Sequence, residues 1–150
     1  MKRSFPFIKL ISQTSIMFIL DQKLRQDSFL LGNLELCQVL LMNDSNYPWL
    51  ILVPQKNNLI EIFDLSFDEQ ILLLKEINFV VDLLKKEYPY HKFNIANLGN
   101  IVSQLHIHVI VRQKNDATFP KPVWGNAPAV PYSGNILNET LKNLQKYFNR

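Results

Sequence analysis

The sequence predicts an α+β fold, in which antiparallel strands pack against one long helix and a short helix closes the chain. Three patterns predict it: apolar runs of strand length, a helix-periodic stretch behind a capping motif, and an amphipathic C-terminal segment. With 150 residues, of which 47% are hydrophobic and 19% charged, the chain suits a single domain over residues 1–150. We expect its core over about 18–125, followed by a proline-rich tail and terminal helix over 119–150.

Four segments have the composition of β-strands. Residues 34–42 and 49–53 are apolar, β-favouring runs joined by a polar turn. Residues 91–96 and 104–111 form a second pair, separated by the short loop at 97–100. These segments account for most of a small sheet.

Two segments have helical periodicity. Ser66 and Glu69 form a Ser-x-x-Glu capping box, and apolar residues recur at helical spacing from there to residue 84. Pro89 ends this pattern, so the helix should run for about six turns. A closing helix is predicted where apolar residues recur at spacings of three and four, at Leu137, Leu141, Leu144 and Phe148.

The segment between the last strand and the closing helix contains four prolines within residues 120–131. Proline lacks the backbone N–H that central strands and helix interiors require. We therefore expect this tail to cross a surface without regular structure.

Composition narrows the class of protein. The lone Cys37 lies in an apolar run and has no partner for an intrachain disulfide, which suits a buried side chain in a cytoplasmic protein. The net charge of +3 comes from scattered Lys and Arg residues, so nucleic acid is not indicated as a partner. No apolar stretch has the length of a membrane span. Lys9, Gln13 and Thr14 interrupt the apolar N-terminal stretch, so no secretory signal is expected.

Candidate chemistry is concentrated in residues 104–111. Side chains alternate along a strand, so Gln104, His106 and His108 should face one side and the intervening apolar residues the core. Two imidazoles about 7 Å apart would then follow directly after a Gly-containing loop. A nucleophile beside backbone N–H groups that can hold a phosphate is the interpretation we favour.

Two other interpretations of the paired histidines remain. They could be the solvent-facing side of an ordinary amphipathic strand. They could also supply two ligands to zinc, with His91 or an acidic residue such as Asp44 as the third. No motif with metal-ligand spacing accompanies them, and we expect no metal.

Residues 97–111 resemble the signature of the histidine-triad (HIT) superfamily, His-φ-His-φ-His-φ-φ with φ apolar, preceded by a loop with Asn and Gly. Gln104 takes the position of the first histidine. The order of strands and helix over about 34–125 is also similar to that of the family. This resemblance implies an antiparallel sheet of about five strands and a homodimer, in which the long helix would contribute to the interface.

The resemblance also implies catalytic roles. His106 matches the middle histidine, which attacks the α-phosphorus of a nucleotide and forms a nucleotidyl-histidine. His108 matches the third histidine, which forms hydrogen bonds around the phosphate. Gln104 keeps a donor and an acceptor but cannot transfer a proton, so it would position a phosphate oxygen or His106. No cofactor is required.

Further residues match the nucleotide-binding positions of the family. Asn97, Gly99 and Asn100 belong to the loop that contacts phosphate. Asn43 matches the position that binds the ribose hydroxyls, with its neighbour Asp44 as the alternative. Each asparagine could instead be a turn residue that bonds local backbone.

The chain also departs from the family pattern. Trp49 lies where many relatives have a histidine, and the loop before the motif is short. Trp124 could border the nucleotide site, anchor the tail or form a dimer contact. The expected function is that of a hydrolase or nucleotidyl transferase acting on a nucleoside phosphoramidate or dinucleoside polyphosphate. The alternatives are a nucleotide-binding protein without catalysis and a metal-dependent hydrolase.

Overall fold

The computed structural model describes residues 17–149; the N-terminal stretch on which the secretory-signal question depends lies outside them. Within these residues the α-helices and strands follow one another as α1 (Gln22–Gln26), β1 (Ser28–Asn33), β2 (Cys37–Met42), β3 (Trp49–Pro54), α2 (Phe67–Glu87), β4 (Lys92–Ala96), β5 (Ile107–Arg112) and α3 (Gly134–Gln145). A 3-10 helix (Ile62–Asp64) lies between β3 and α2. The strands form one antiparallel sheet in the order β1-β2-β3-β5-β4. The predicted α+β class and strand number are confirmed.

The long helix begins and ends where the sequence predicts. The hydroxyl of Ser66 accepts a hydrogen bond from the Glu69 backbone N–H at 3.3 Å, and the Glu69 carboxylate accepts from the Ser66 N–H at 2.9 Å. These bonds satisfy donors that would otherwise be free at the first turn. The chain leaves the helix at Tyr88, whose backbone is extended before Pro89.

One face of α2 covers the sheet. It buries Leu73, Ile77, Val80, Leu83 and Leu84 in the main core. Phe67, Ile71 and Leu74 stay exposed on the same helix. The helix therefore uses only part of its apolar surface within the chain, and the homodimer stays a prediction.

Two of the predicted strands begin later than expected. The segment 34–42 enters the sheet only at Cys37, because Leu34 N–H turns back to the Cys37 carbonyl at 2.8 Å. The buried carboxylate of Glu76 on α2 accepts the N–H groups of Leu36 and Cys37 at 2.7 and 3.0 Å. The segment 104–111 enters the sheet at Ile107, so residues 104–106 are irregular.

Cys37 lies inside the core, as its apolar run predicts. Its side chain is 0% exposed, and burial raises the pKa of the thiol, with the neighbouring Glu76 adding to the rise. A thiol kept protonated in this way is a structural group and not a nucleophile.

The first strand and helix were not predicted. β1 is an edge strand that contains Gly32, and α1 has only five residues, so neither shows a clear period. Gly32 is required by packing, since a Cβ there would clash with the side chain of Phe148. The C-terminal segment thus closes over β1, and the predicted closing helix buries Leu144 in the core.

The proline-rich segment has no helix or strand, as predicted. It is held by Arg112, which is 1% exposed and pairs with Asp116 at 2.8 Å. The guanidinium also donates to Thr118 Oγ1 and to the Lys121 carbonyl. Within residues 17–149, no helix is both long and apolar enough to cross a membrane.

Candidate active site

His106 and His108 lie side by side at one wall of a cavity. His108 is in β5, opposite Ile51 of β3 and Ala96 of β4, whereas His106 immediately precedes the strand. Their ring centroids are 4.8 Å apart, and each residue is 6% exposed. The two imidazoles are therefore largely removed from water and close enough to act on one bound group.

The surroundings of His106 select one tautomer. Its Nδ1 lies 2.7 Å from the backbone carbonyl oxygen of Gln104. A carbonyl can only accept, so Nδ1 carries the proton and Nε2 of the neutral ring keeps its lone pair. His106 thus has the tautomer that a nitrogen nucleophile needs.

The surroundings of His108 select the opposite tautomer. The indole Nε1–H of Trp49 donates to His108 Nδ1 at 3.0 Å, so the proton of the neutral ring lies on Nε2. Burial lowers the pKa of His108 to about 3, and the adjacent His106 contributes further. His108 is consequently a neutral hydrogen-bond donor through Nε2 at physiological pH.

The cavity beside the histidines encloses about 320 Å³. Gly99 and Asn100 of the 97–100 loop form its polar edge. Its wall is mainly apolar and includes Leu24, Met42, Trp49, Ile51, Val102 and Trp124. A volume of this size with few polar groups suits an aromatic ring system attached to a polar group.

Trp124 is one of the side chains that define the cavity. Its ring centroid lies 5.1 Å from that of His108 and 5.6 Å from that of Trp49, both edge to face. Trp124 therefore borders the cavity, as one of the alternatives for this residue predicts. The neighbouring Val123 is buried and anchors the segment beneath it.

The residues predicted for the phosphate loop have different positions. Gly99 and Asn100 line the cavity, and Gly99 has a φ of +70°, which favours glycine. Asn97 is turned the other way, because its side-chain NH₂ donates to the His106 carbonyl at 3.0 Å. Asn97 thus connects the loop to the backbone of His106 and does not line the cavity, and its phosphate contact stays a prediction.

Asn43 and Asp44, the two residues considered for the ribose, bind the C-terminal tail in this structure, and the ribose contact stays a prediction. Asn43 Oδ1 accepts the Tyr132 N–H at 2.8 Å, and Asp44 Oδ1 accepts the N–H groups of Asn46 and Val130 at 3.1 and 3.2 Å. Neither lines the cavity. The prediction for Asn43 did not include the returning tail, whose Tyr132 N–H donates to its side chain.

Gln104 does not face the cavity, contrary to the alternation expected for a strand. Its side chain bonds to the backbone of Ile19 and Asp21, in the segment that precedes α1. The strand begins only at Ile107, and the irregular backbone before it turns the side chain away. The Gln104 backbone carbonyl, and not its amide, contacts His106.

The cavity also includes residues that were not predicted. Lys23 of α1 and Asp27, which caps the C-terminus of that helix, line the cavity and pair with each other at 2.7 Å. Their i,i+4 spacing behind Asp21, which caps the helix, was the available signal. A helix this short seldom stands out in a sequence.

The metal interpretation depended on a third ligand. His91 lies with its ring 5.4 Å from that of Phe119, and Asp44 is engaged with the tail as described. In the part of the chain that the structure describes, no group of three or more His, Cys, Asp or Glu residues is arranged to hold a metal ion.

The sheet, the long helix and the paired histidines beside a Gly-containing loop define a histidine-triad protein. The HIT domain family model matches residues 23–115, so the chain belongs to the HIT family. No curated protein sequence matches the chain significantly.

Solved structures of bacterial histidine-triad proteins are similar over nearly their whole length. The protein from Sinorhizobium meliloti is 43% identical, with a TM-score of 0.82 over 87% of this chain and 96% of that one. The protein from Marinobacter aquaeolei is 41% identical, with a TM-score of 0.84 over 88% and 96%. The protein from Bradyrhizobium japonicum is 38% identical, with a TM-score of 0.84 over 88% and 98%.

Replacing Trp49 by phenylalanine is expected to lower kcat/KM about 10-fold, because one buried hydrogen bond that orients His108 is lost. The aromatic wall is largely kept. Nitrogen NMR of the imidazoles should show that His108 no longer carries its proton only on Nε2.

Tyr47→Phe is the matched control, since it removes a buried hydroxyl bonded to Thr118 and leaves His108 untouched. An unchanged His108 tautomer in Trp49→Phe would contradict the assigned role of the indole.

Proposed function

We propose that this protein is a nucleotide hydrolase or nucleotidyl transferase that acts on the α-phosphate of a nucleoside phosphoramidate or dinucleoside polyphosphate. The observation that supports it most is the tautomer of His106, whose Nδ1–H is bonded to the Gln104 carbonyl at 2.7 Å. Its Nε2 lone pair is available to a phosphorus atom bound in the adjoining cavity.

In the proposed first step, the Nε2 lone pair of His106 forms a bond to the α-phosphorus. The P–O or P–N bond to the leaving group breaks, and the leaving group departs with that electron pair and takes up a proton from solvent. In the second step water attacks the same phosphorus and gives up a proton to solvent. The bond between the phosphorus and His106 Nε2 then breaks, its electron pair returns to the imidazole, and a nucleoside monophosphate is released. A different acceptor in place of water would make the reaction a transfer.

The other residues support this chemistry electrostatically. His108 Nε2–H is a donor beside the reacting group, and the backbone at Gly99 and Asn100 borders the same space. Donors fixed in a site removed from water stabilise charge that develops on phosphate oxygens. The apolar wall with Trp124 suits the base, and the open edge suits the phosphates.

The orientation of Gln104 favours a second candidate, a nucleotide-binding protein without turnover. Its amide does not line the cavity, so the first position of the triad lacks a side chain that can contact the substrate there. The cavity for the base would be the same in either case.

The test is intact-protein mass spectrometry after brief incubation with adenosine phosphoramidate or diadenosine tetraphosphate, with and without EDTA. We expect an adenylyl adduct, or release of adenosine monophosphate, that EDTA does not affect and that His106→Ala abolishes. Nucleotide binding without adduct or release would favour the binding protein. Turnover that EDTA abolishes would favour a metal-dependent hydrolase.

A further inference from the structure

The side chain of Gln104 is bonded at two points to the segment that leads into α1. Its Oε1 accepts the backbone N–H of Asp21 at 2.8 Å, and its Nε2 donates to the Ile19 carbonyl at 2.9 Å. A primary amide has both an acceptor and donors, so it pairs with this segment as a neighbouring strand would.

Asn57 continues the same arrangement one step upstream. Its Oδ1 accepts the Ile19 N–H at 3.3 Å, and its Nδ2 donates to the Met17 carbonyl at 3.2 Å. Two side-chain amides therefore hold residues 17–21, and only that of Gln104 reaches Asp21.

Asp21 is the residue on which α1 depends. Its carboxylate caps the helix by accepting the N–H groups of Lys23 and Leu24 at 2.8 and 3.4 Å. Lys23 and Leu24 of this helix, and Asp27 at its C-terminal cap, line the cavity beside the histidines. A five-residue helix has little stability of its own, so its position depends on Leu24 packing and on its N-terminus.

The main chain of Gln104 has a separate contact. Its carbonyl accepts the Nδ1–H of His106, and a change of side chain leaves that carbonyl in place. The side chain of Gln104 holds the segment that leads into α1, which forms part of the cavity wall. Its backbone carbonyl instead fixes the tautomer of His106, the proposed nucleophile. Substitutions at residue 104 therefore separate binding from chemistry.

We propose that Gln104 is a positioning residue for substrate binding, whose side chain holds α1 against the cavity without contacting the reacting phosphate. The kinetic part of this inference rests on the proposed function. In this chain, the residue at the position of the first histidine of the HIT signature therefore supports the wall of the nucleotide pocket.

Gln104→Ala is expected to raise KM about 10- to 30-fold, because two hydrogen bonds that fix α1 are lost. The kcat should stay within about threefold, since the His106 contact is unchanged. Gln104→His should raise KM similarly, because an imidazole directs its donor and acceptor away from each other and cannot bond to both groups. Gln113→Ala is the matched control, as this glutamine also bonds to a backbone carbonyl, that of Pro89, away from the cavity.

Hydrogen exchange of the wild type and Gln104→Ala gives a readout that needs no turnover. The backbone N–H of Asp21, and those of Lys23 and Leu24 behind it, should exchange at least about 10-fold faster in the variant. The N–H groups of α2 should be unaffected. The Kd for adenosine monophosphate should rise with KM.

Three results would overturn the inference: a lower kcat at unchanged KM, unchanged exchange at Asp21, or a lower melting temperature with KM unchanged at 25 °C. The first would mean that the amide contacts the reacting phosphate, and the last that its role is only structural. A wild type without turnover would contradict the proposed function alone. The Kd and exchange rates would then still decide the role of Gln104.

Discussion

Replacing His106 by alanine is expected to lower the rate of nucleoside monophosphate release by at least about 10³-fold, because the attacking nitrogen is removed. No other described side chain at the cavity offers an imidazole lone pair, since Nδ1 of His108 accepts from Trp49 and its Nε2 carries the proton. The rate is measured as kcat/KM with adenosine phosphoramidate and with diadenosine tetraphosphate.

His91→Ala is the control for this experiment. His91 is exposed, packs against Phe119 and does not line the cavity, so its loss should change kcat/KM by no more than about twofold. Two results would contradict the role of His106: a variant that retains more than a tenth of the wild-type rate, or an adduct that peptide mapping places on another residue.

Replacing Arg112 by methionine is expected to lower the free energy of unfolding by about 3 to 5 kcal/mol, because a buried carboxylate loses its partner. The side chain of Asp116 is 6% exposed and accepts two bonds from the guanidinium, at 2.8 and 3.0 Å. The Arg112 guanidinium also donates hydrogen bonds to Asn94 Oδ1, Thr118 Oγ1 and the Lys121 carbonyl, at 2.7, 3.1 and 2.9 Å. Urea denaturation of both proteins gives the difference.

Lys85→Met is the matched control, since Lys85 and Asp82 form an exposed pair at 3.8 Å on α2. Its loss should cost less than about 0.5 kcal/mol. A loss below about 1 kcal/mol in Arg112→Met would show that the pair does not hold the tail, because a buried unpaired carboxylate costs more.

The same ion pair predicts a dependence of stability on pH. Burial by itself raises the pKa of Asp116, but hydrogen bonds from Arg112 and from the backbone N–H groups of Thr118, Gln113 and Phe119 outweigh it and lower the pKa to about 2. An aspartate in the unfolded chain has a pKa near 3.9. The stability that this group contributes is therefore complete above about pH 4 and lost as the pH falls towards 2, and Arg112→Met should remove most of that loss.

The Arg112 network also affects the site. It holds the segment 116–121, directly before the buried Val123 and before Trp124, which lines the cavity. A wall made from a proline-rich tail keeps its position only if the tail is attached to the sheet. The buried cation at the end of β5 provides that attachment.

Local sequence patterns were sufficient to predict the elements whose ends are set by residues close to them in the sequence. The capping box at Ser66 and Glu69 starts a helix whatever lies beyond it, and proline ends a strand or helix by its own geometry. Likewise, β5 brings His108 next to His106 through the chain itself, without any distant partner. The five-stranded fold and the proximity of the two histidines were therefore available from the sequence and its resemblance to the HIT family.

Contacts between distant segments decided the rest. Gln104, Asn43 and Asp44 are polar side chains that each bond to a backbone group 83 to 89 residues away in the chain. No local period encodes such a pairing, because a side-chain amide or carboxylate bonds to whichever free backbone group packing brings near. The sequence by itself determined which side chains could carry chemistry. The tertiary structure decided which of them face the cavity and which hold its walls.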